Sequence, residues 1–542
     1  MRIPEGNDER EYFYLDLMQK CLVSRDDRNQ DYLFLKNFFL HGAEPDSVPA
    51  LFNKIAPHID QLNSFLYSSE TTRFSIDIGA AVPKTEHSKI ATLTKALNDE
   101  WLNSNTDQVF SASINWALVF NSTFVKLVVR NGVHPYMVEP GSIGVLREDK
   151  PYTDRQEAIC HTYYMTKSEL YTRLYSHPKR DKYIERIFVG PPAEAQLPNA
   201  INRIITSQSN PNIAGNVNIS LEGGNRYVAR VAEDTVEMRE LWVWNDETND
   251  YQVVTIADPD VVIYDRSGES MFLKGECPFI QICPNPLYDY FWGQSEVQKL
   301  VYLQMLRNKR IGEIATLLAK QVNPPKAFTG FMGITDEKAY ALNMPNSYVM
   351  SDMPGAKVDE LSPTIPTDLF KEIAEIDAMF AEASGISSVL QGRGESGVRS
   401  AGHASQLARL GSSRAKKRAL IIEDSLEKVA TLFLKLLQAY DNTHFIDDKG
   451  MPFIAEQFTH DFVVKVDAHS NSPIFMEDSR ELAFKLYEAK VINKKRLIDL
   501  VDPPMKQLLK DDLENDEKAA KDEAAKHPPQ PAPAPKEQPK KG

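Results

Sequence analysis

Apolar positions between Glu9 and Leu40 recur at three- and four-residue spacing, through Tyr12, Leu15, Met18 and Leu22 and then Tyr32, Leu35, Phe38 and Phe39. That period predicts amphipathic helix. A second helical stretch is expected over Val48 to Tyr67, after which Arg73 to Ile78 alternates like a strand. Ser88 to Asn105 and Asp107 to Phe120 return to the helical period, and Thr123 to Arg130 is β-branched and strand-like. Extended character continues through Val138, Ile143 and Val145, and Ala158 to Met165 predicts another strand, with Thr166 and Ser168 ahead of a short helix from Glu169 to Leu174. Several strands are expected between Arg226 and Tyr264, with a polar turn at Asn245 to Asn249. Pro192 to Gly224, rich in Pro, Asn, Gly and Ser, predicts a long surface loop.

The second half changes character. Gly293 to Gln321 keeps the helical period without a proline, which predicts a rod of roughly 40 Å ended by Asn323, Pro324 and Pro325. A segment rich in Gly, Pro and Asn follows, Lys326 to Pro366, with Tyr348 to Met350 strand-like inside it. Leu369, Ile373, Ile376 and Phe380 then form one apolar helical face. Past a Gly- and Ser-rich loop, Ser384 to Ser400, the longest periodic segment runs from Ala401 to Tyr440, roughly 60 Å as one helix. Along it Ile422, Leu426, Val429, Phe433, Leu436 and Tyr440 make a packing seam. Strands are expected within Phe453 to Val466 and helices over Met476 to Val491 and Lys495 to Val501. The last residues, His527 to Gly542, carry six prolines and no large apolar residue, which predicts a disordered tail.

Composition narrows the function classes. Hydrophobic residues at 42% and charged residues at 25% fit a folded chain of several domains. A net charge of -14 argues against a protein gripping nucleic acid over its whole surface. Cys21, Cys160, Cys277 and Cys283 are too scattered for a disulfide framework, which points to a reducing compartment. With no run of about 18 apolar residues and a charged first decade, the chain is expected to be neither membrane-spanning nor secreted. Any channel it forms is then a water-soluble ring.

Candidate chemistry is sparse. Gly392, Gly394 and Gly397 satisfy the dinucleotide spacing G-x-G-x-x-G, yet a helix precedes them where the fingerprint needs a strand, so a hinged loop is the better reading. The histidines and the Cys277/Cys283 pair lack metal-ligand spacing, and no P-loop or nucleophile elbow occurs. Arg409, Arg414, Lys416, Lys417 and Arg418 offer charge for phosphates, but a solvated face or intersubunit ion pairs are the better reading, because Ala415, Ala419 and Ile422 place the helix in packing. Lys299, Arg307, Lys309, Arg310 and Lys320 either line a lumen or face outward.

The order of elements and several short words resemble the portal proteins of tailed bacteriophages. The words are Cys277 to Pro286 followed by Trp292 to Val297; Leu300, Leu303, Gln304 and Asn308; Asn323 to Pro325; Ser384 to Ser387 with Ser396 to Ala401; and Thr166 to Leu170. Together they cover roughly Phe110 to Tyr440. The resemblance implies an α+β portal-type subunit: a wing over 1–292, a first stem helix over 293–322, a small α/β clip over 323–366 and a second stem helix over 367–384. It continues with a tunnel loop over 385–400, a spine helix over 401–441, wing return strands over 442–475, a helical crown over 476–525 and a disordered tail over 526–542.

It further implies a non-enzymatic, cofactor-free subunit of a twelvefold ring at one capsid vertex of the virion, assembled in the host cytoplasm. Its expected partners are double-stranded viral DNA held transiently, other copies of itself, the terminase large subunit, capsid and scaffolding proteins, and head-tail adaptor or tail proteins. A membrane is not among them. Gln391, Arg393, Glu395, Arg399 and His403 would be the DNA-facing tunnel loop, Lys309, Arg310 and Lys320 the basic stem positions, and Phe331, Met332, Lys338, Asn346 and Lys357 the clip surface. The competing readings are a nucleotide-binding enzyme using the Gly392 to Gly397 loop and a tail or scaffold component.

Overall fold

The computed structural model describes residues 1–44, 50, 52–68, 72–77, 87–130, 132–153, 156–191, 233–263, 272–322, 324–332, 335, 348–351, 353–384, 413–440, 444–446, 452–454, 462–466, 482–501, 509 and 512–513. Helix and sheet are mixed along the chain, an α+β organisation.

The first helical stretch is two helices, α1 (Asn7–Leu22) and α2 (Arg25–His41). The break falls at Ser24, whose hydroxyl donates to Glu148 at 2.7 Å and accepts from Arg28 at 3.0 Å, a local alternative to helix continuation. Next come α3 (Ile55–Leu66), β1 (Phe74–Asp77), α4 (His87–Asn103) and α5 (Thr106–Phe120). Asn105, left-handed at φ 55°, separates the last two. Three antiparallel strands follow the order β3-β2-β9, from β2 (Thr123–Val129), β3 (Val133–Val138) and β9 (Phe279–Ile282).

A five-stranded antiparallel sheet runs in chain order through β4 (Ile143–Val145), β5 (Ala158–Thr166), β6 (Thr235–Asn245), β7 (Asp250–Ala257) and β8 (Val261–Ile263). Between β5 and β6, α6 (Lys167–Arg173) begins two residues earlier than the spacing suggests because Thr166 is its cap. The Thr166 hydroxyl accepts from the Glu169 amide, and the Glu169 carboxylate accepts from the Thr166 amide. α7 (Arg180–Arg186) follows it.

The two sheets meet through an aromatic core in which Trp242 lies edge-on to Phe279 at 6.2 Å. Beside it Lys126 of β2 reaches Glu240 of β6 at 2.9 Å. Burial pushes the Glu240 carboxyl up, but Lys126 and His161 more than offset it and hold the group down at about 2, so Glu240 is a carboxylate.

The remaining elements are α8 (Glu296–Val322), β10 (Lys326–Thr329), β11 (Lys357–Glu360), α9 (Asp368–Ser384), α10 (Ser413–Tyr440), β12 (His444–Ile446), β13 (Pro452–Ile454), β14 (Val463–Val466) and α11 (Lys494–Val501). The described part of the longest periodic segment is α10, since 401–412 fall outside the described residues. Tyr348 to Met350, expected as a strand, joins no ladder; the antiparallel pair in that segment is β10 with β11.

The largest core forms around α10. Ile422, Leu426, Val429, Phe433 and Leu436 are fully buried where α10 packs on α3, β2 and β9, and Phe433 meets Trp101 at 5.9 Å. Each such side chain contributes about 1.5–3 kcal/mol relative to exposure. The seam is therefore filled within one chain, and Tyr440 at its end is left half exposed. β14 closes this body by pairing antiparallel with β1, Phe74 opposite Val466.

Candidate functional site

The feature that stands apart from this body is the antiparallel pair α8 and α9, joined through β10 and β11. The absence of proline and the single Gly312 let α8 run 27 residues, about 40 Å, before Pro324 and Pro325 stop it. Its start is fixed three residues past the position the periodicity suggests. Gly293 has φ +73°, outside helical space, and a Cβ there would lie 2.3 Å from Cys283 Sγ and 2.8 Å from the Asn285 carbonyl oxygen.

Three polar layers fix the hairpin, the first two tying it to the body and the third joining its own two helices. At its root the Glu296 carboxylate, fully buried, accepts from Arg418 of α10 and from Lys299, both at 2.9 Å. Asn285 Nδ2 donates to it at 3.3 Å while Asn285 Oδ1 accepts from Arg418 Nε at 2.9 Å. His58 borders this cluster, and burial lowers its pKa to about 4, so the imidazole is neutral. Beside the root, Arg28 stacks 3.8 Å over Trp292, and both donate to Glu148, at 2.7 and 2.8 Å.

About two to three turns on, Gln304 Nε2 donates to the Phe52 carbonyl at 3.1 Å, and Asn308 Nδ2 to the Gly42 carbonyl at 2.7 Å. Arg307 then bonds Asp377 of α9 at 3.0 Å, and Lys54 reaches the other oxygen of Asp377 at 2.6 Å. Burial pushes the Asp377 carboxyl up, yet the bonds from Lys54 and Arg307 prevail and hold it below the usual carboxylate range. In the third layer Arg310 pairs with Glu372 at 2.9 Å and with Glu313 at 2.7 Å.

Beyond Ile314 the hairpin leaves the body. There Val322 is 76% exposed, Met332 85% and Met350 81%, and Leu318, Leu361 and Phe370 are about half exposed; nearer the root, Tyr302 is 74% exposed on the outer face of α8. A monomer rarely carries so long an uncovered apolar strip. The β10–β11 ribbon at its end has four-residue strands, too short to be stable alone. Phe328 and Phe331 pack edge to face at 5.7 Å there, and Lys357 pairs with Asp359 along the strand.

The anticipated positions distribute unevenly. Gln391, Arg393, Glu395, Arg399 and His403 lie outside the described residues, with the Gly392 to Gly397 loop, as do Lys338 and Asn346. Lys309 and Lys320 are exposed on α8, whereas Arg310 is turned into the hairpin by Glu372 and Glu313. Met332 and Lys357 are exposed and Phe331 is half-buried.

Of the basic run near 409–418, Arg418 is buried inside its own chain on Glu296 and Asn285. Cys277 and Cys283 are free thiols pushed up to about 12 by burial, and no cluster of three or more potential metal ligands occurs among the described residues. No helix among them is long and apolar enough to cross a membrane.

Sequence reading missed the acidic partners Glu296, Glu372 and Asp377. Their signal was the charge contrast between two consecutive helices, which basic residues weighed alone do not reveal.

No family model matches this chain, and no curated protein matches it. Among solved structures it is similar to a chain from the neck of an empty GTA particle, computed with C6 symmetry. The identity is 10% and the TM-score 0.41, over 88% of this chain and 94% of that one.

Proposed function

We propose that this chain is the portal subunit of a tailed bacteriophage: a non-enzymatic protein whose copies form a ring at one capsid vertex and conduct DNA during packaging and ejection. The observation that supports it most is the α8–α9 hairpin, rooted in the body by Glu296, Gln304 and Arg307 and carrying exposed apolar side chains along its uncovered length. Copies set side by side cover that strip, and heterologous contacts that close make a ring with a hole. The order of elements and the sequence words that resemble portals supply the rest of the reading. They suggest twelve subunits, a clip at β10–β11 that docks the terminase and later the head-tail adaptor, and a role in starting capsid assembly. A net charge of -14 suits a lumen that repels the duplex and lets it slide.

The test is size-exclusion chromatography with light scattering, followed by negative-stain imaging. The expected particle is a ring with a central hole and a mass many times 61.3 kDa. Compact monomers that bind a nucleotide would overturn the proposal in favour of an enzyme, and fibres would favour a tail component.

A further inference from the structure

The two helices of the hairpin carry opposite charge. α8 has Lys299, Arg307, Lys309, Arg310 and Lys320 against Glu296 and Glu313, a net +3, while α9 has Asp368, Glu372, Glu375, Asp377 and Glu382 against Lys371, a net -4. Pairing within the chain consumes only part of this. Arg307 and Arg310 are taken up by Asp377 and Glu372, but Lys309, Lys320 and Glu375 have no ion partner among the described residues.

The leftover charges lie on faces shaped for helix packing. From Gln298 to Ala319, α8 exposes residues in alternating steps of four and three, through Tyr302, Met305, Lys309, Gly312 and Thr316, on the side opposite Arg307. α9 does the same through Lys371, Glu375, Ala378 and Glu382. A 3.5-residue spacing keeps a stripe facing a partner helix along its length. Midway, a Cβ added at Gly312 would meet nothing within 4 Å, so a second helix has room to approach closely there.

The register within the hairpin supplies the match. Arg307 bonds Asp377, and Gln321 Nε2 donates to the Pro363 carbonyl at 2.9 Å, so Lys309 is level with Glu375 and Met305 with Met379. A cyclic operator rotates a subunit without sliding it along the axis. With the hairpin along that axis, groups level in one chain are level across the boundary between neighbours.

We propose that α8 of one copy packs against α9 of the next through this seam, with Lys309 facing the neighbouring copy's Glu375 and Met305 facing its Met379. The occupant of the exposed face of α8 is thus a second copy of this chain, and Lys309 is an assembly residue, neither a lumen nor an outer-surface group. The inference rests on the ring reading above and adds the identity and register of the contact.

The test uses the full chain with Lys309→Glu and Glu375→Lys, singly, combined in one chain, and as an equal mixture of the two single variants. Both sites are exposed, so circular dichroism and the thermal midpoint should match wild type. Each single variant places like charges at every boundary, and the assembled fraction at low salt should fall by about tenfold or more. The chain carrying both changes should assemble again. So should the mixture, because in a ring of even copy number the two variants alternate and every boundary regains an opposite pair.

Single variants that assemble as wild type does, or a mixture no better than its parts, would overturn this contact and leave the ring reading standing. Wild type that stays monomeric at every salt concentration would sink both.

Discussion

Replacing Glu296 by alanine removes the one carboxylate in the root cluster and strands Arg418, whose guanidinium is nearly buried, without a charge partner. Lys299 loses its partner as well but is about a quarter exposed and can turn to water. Breaking a buried pair from one side costs about 3–5 kcal/mol, because the remaining charge keeps its desolvation penalty. The loss falls at the contact of α8 with α10. Amide exchange along the first turns of α8 should therefore speed up by roughly 10²–10⁴-fold, at about 1.4 kcal/mol per factor of ten.

The companion variant, Glu296→Leu with Arg418→Met, removes both charges and keeps the volume. It should recover protection to within about 1 kcal/mol of wild type, since a buried pair adds little over a packed apolar one. The reasoning fails if Glu296→Ala changes exchange in α8 by less than about threefold. It fails equally if the double variant is no better protected than the single one, for then an unpaired Arg418 was not the cause.

Gly293→Ala should lower the thermal midpoint measurably, costing about 2 kcal/mol or more, because a positive φ is combined with a Cβ pressed onto Cys283 and Asn285; an unchanged melt would contradict the geometry. Glu139 gives a pH signature. Its Oε2 is sealed without a hydrogen-bond partner, and burial, opposed by Lys36, raises the carboxyl from 4.5 to about 7. Between those values the folded chain holds a proton that the unfolded chain releases, so this group's contribution to stability falls as pH rises from 4.5 through about 7. Denaturant titrations of Glu139→Gln against wild type across that window should show a flatter pH dependence in the variant.

How much was legible in the sequence depended on which force set each feature. The helical period found the segments that became α5, α8, α9 and α10, because each buries one continuous face. It ran α1 and α2 together because their break at Ser24 is made by Glu148, more than a hundred residues away. It began α8 at Gly293 because positive φ leaves no mark in a hydrophobic pattern. Tyr348 to Met350 looked like a strand from β-branched and aromatic content, but a strand needs a partner, and the partner of β10 is β11. The basic residues of the stem were visible one by one, whereas their division into paired and unpaired groups follows from the register of α8 on α9, which only coordinates supply.

The pairing of β1 with β14 has a consequence for how this chain is made. Phe74 leaves the ribosome about 390 residues before Val466, and at ~5–20 residues per second the gap lasts roughly 20–80 s. Through most of that interval the face of α3 that will receive α10 stands open to water and to other nascent chains. Closing so large a loop late in synthesis makes the body a slow step, and holdase chaperones of the host should be found on the partly made chain while its amino-terminal helices wait for their cover.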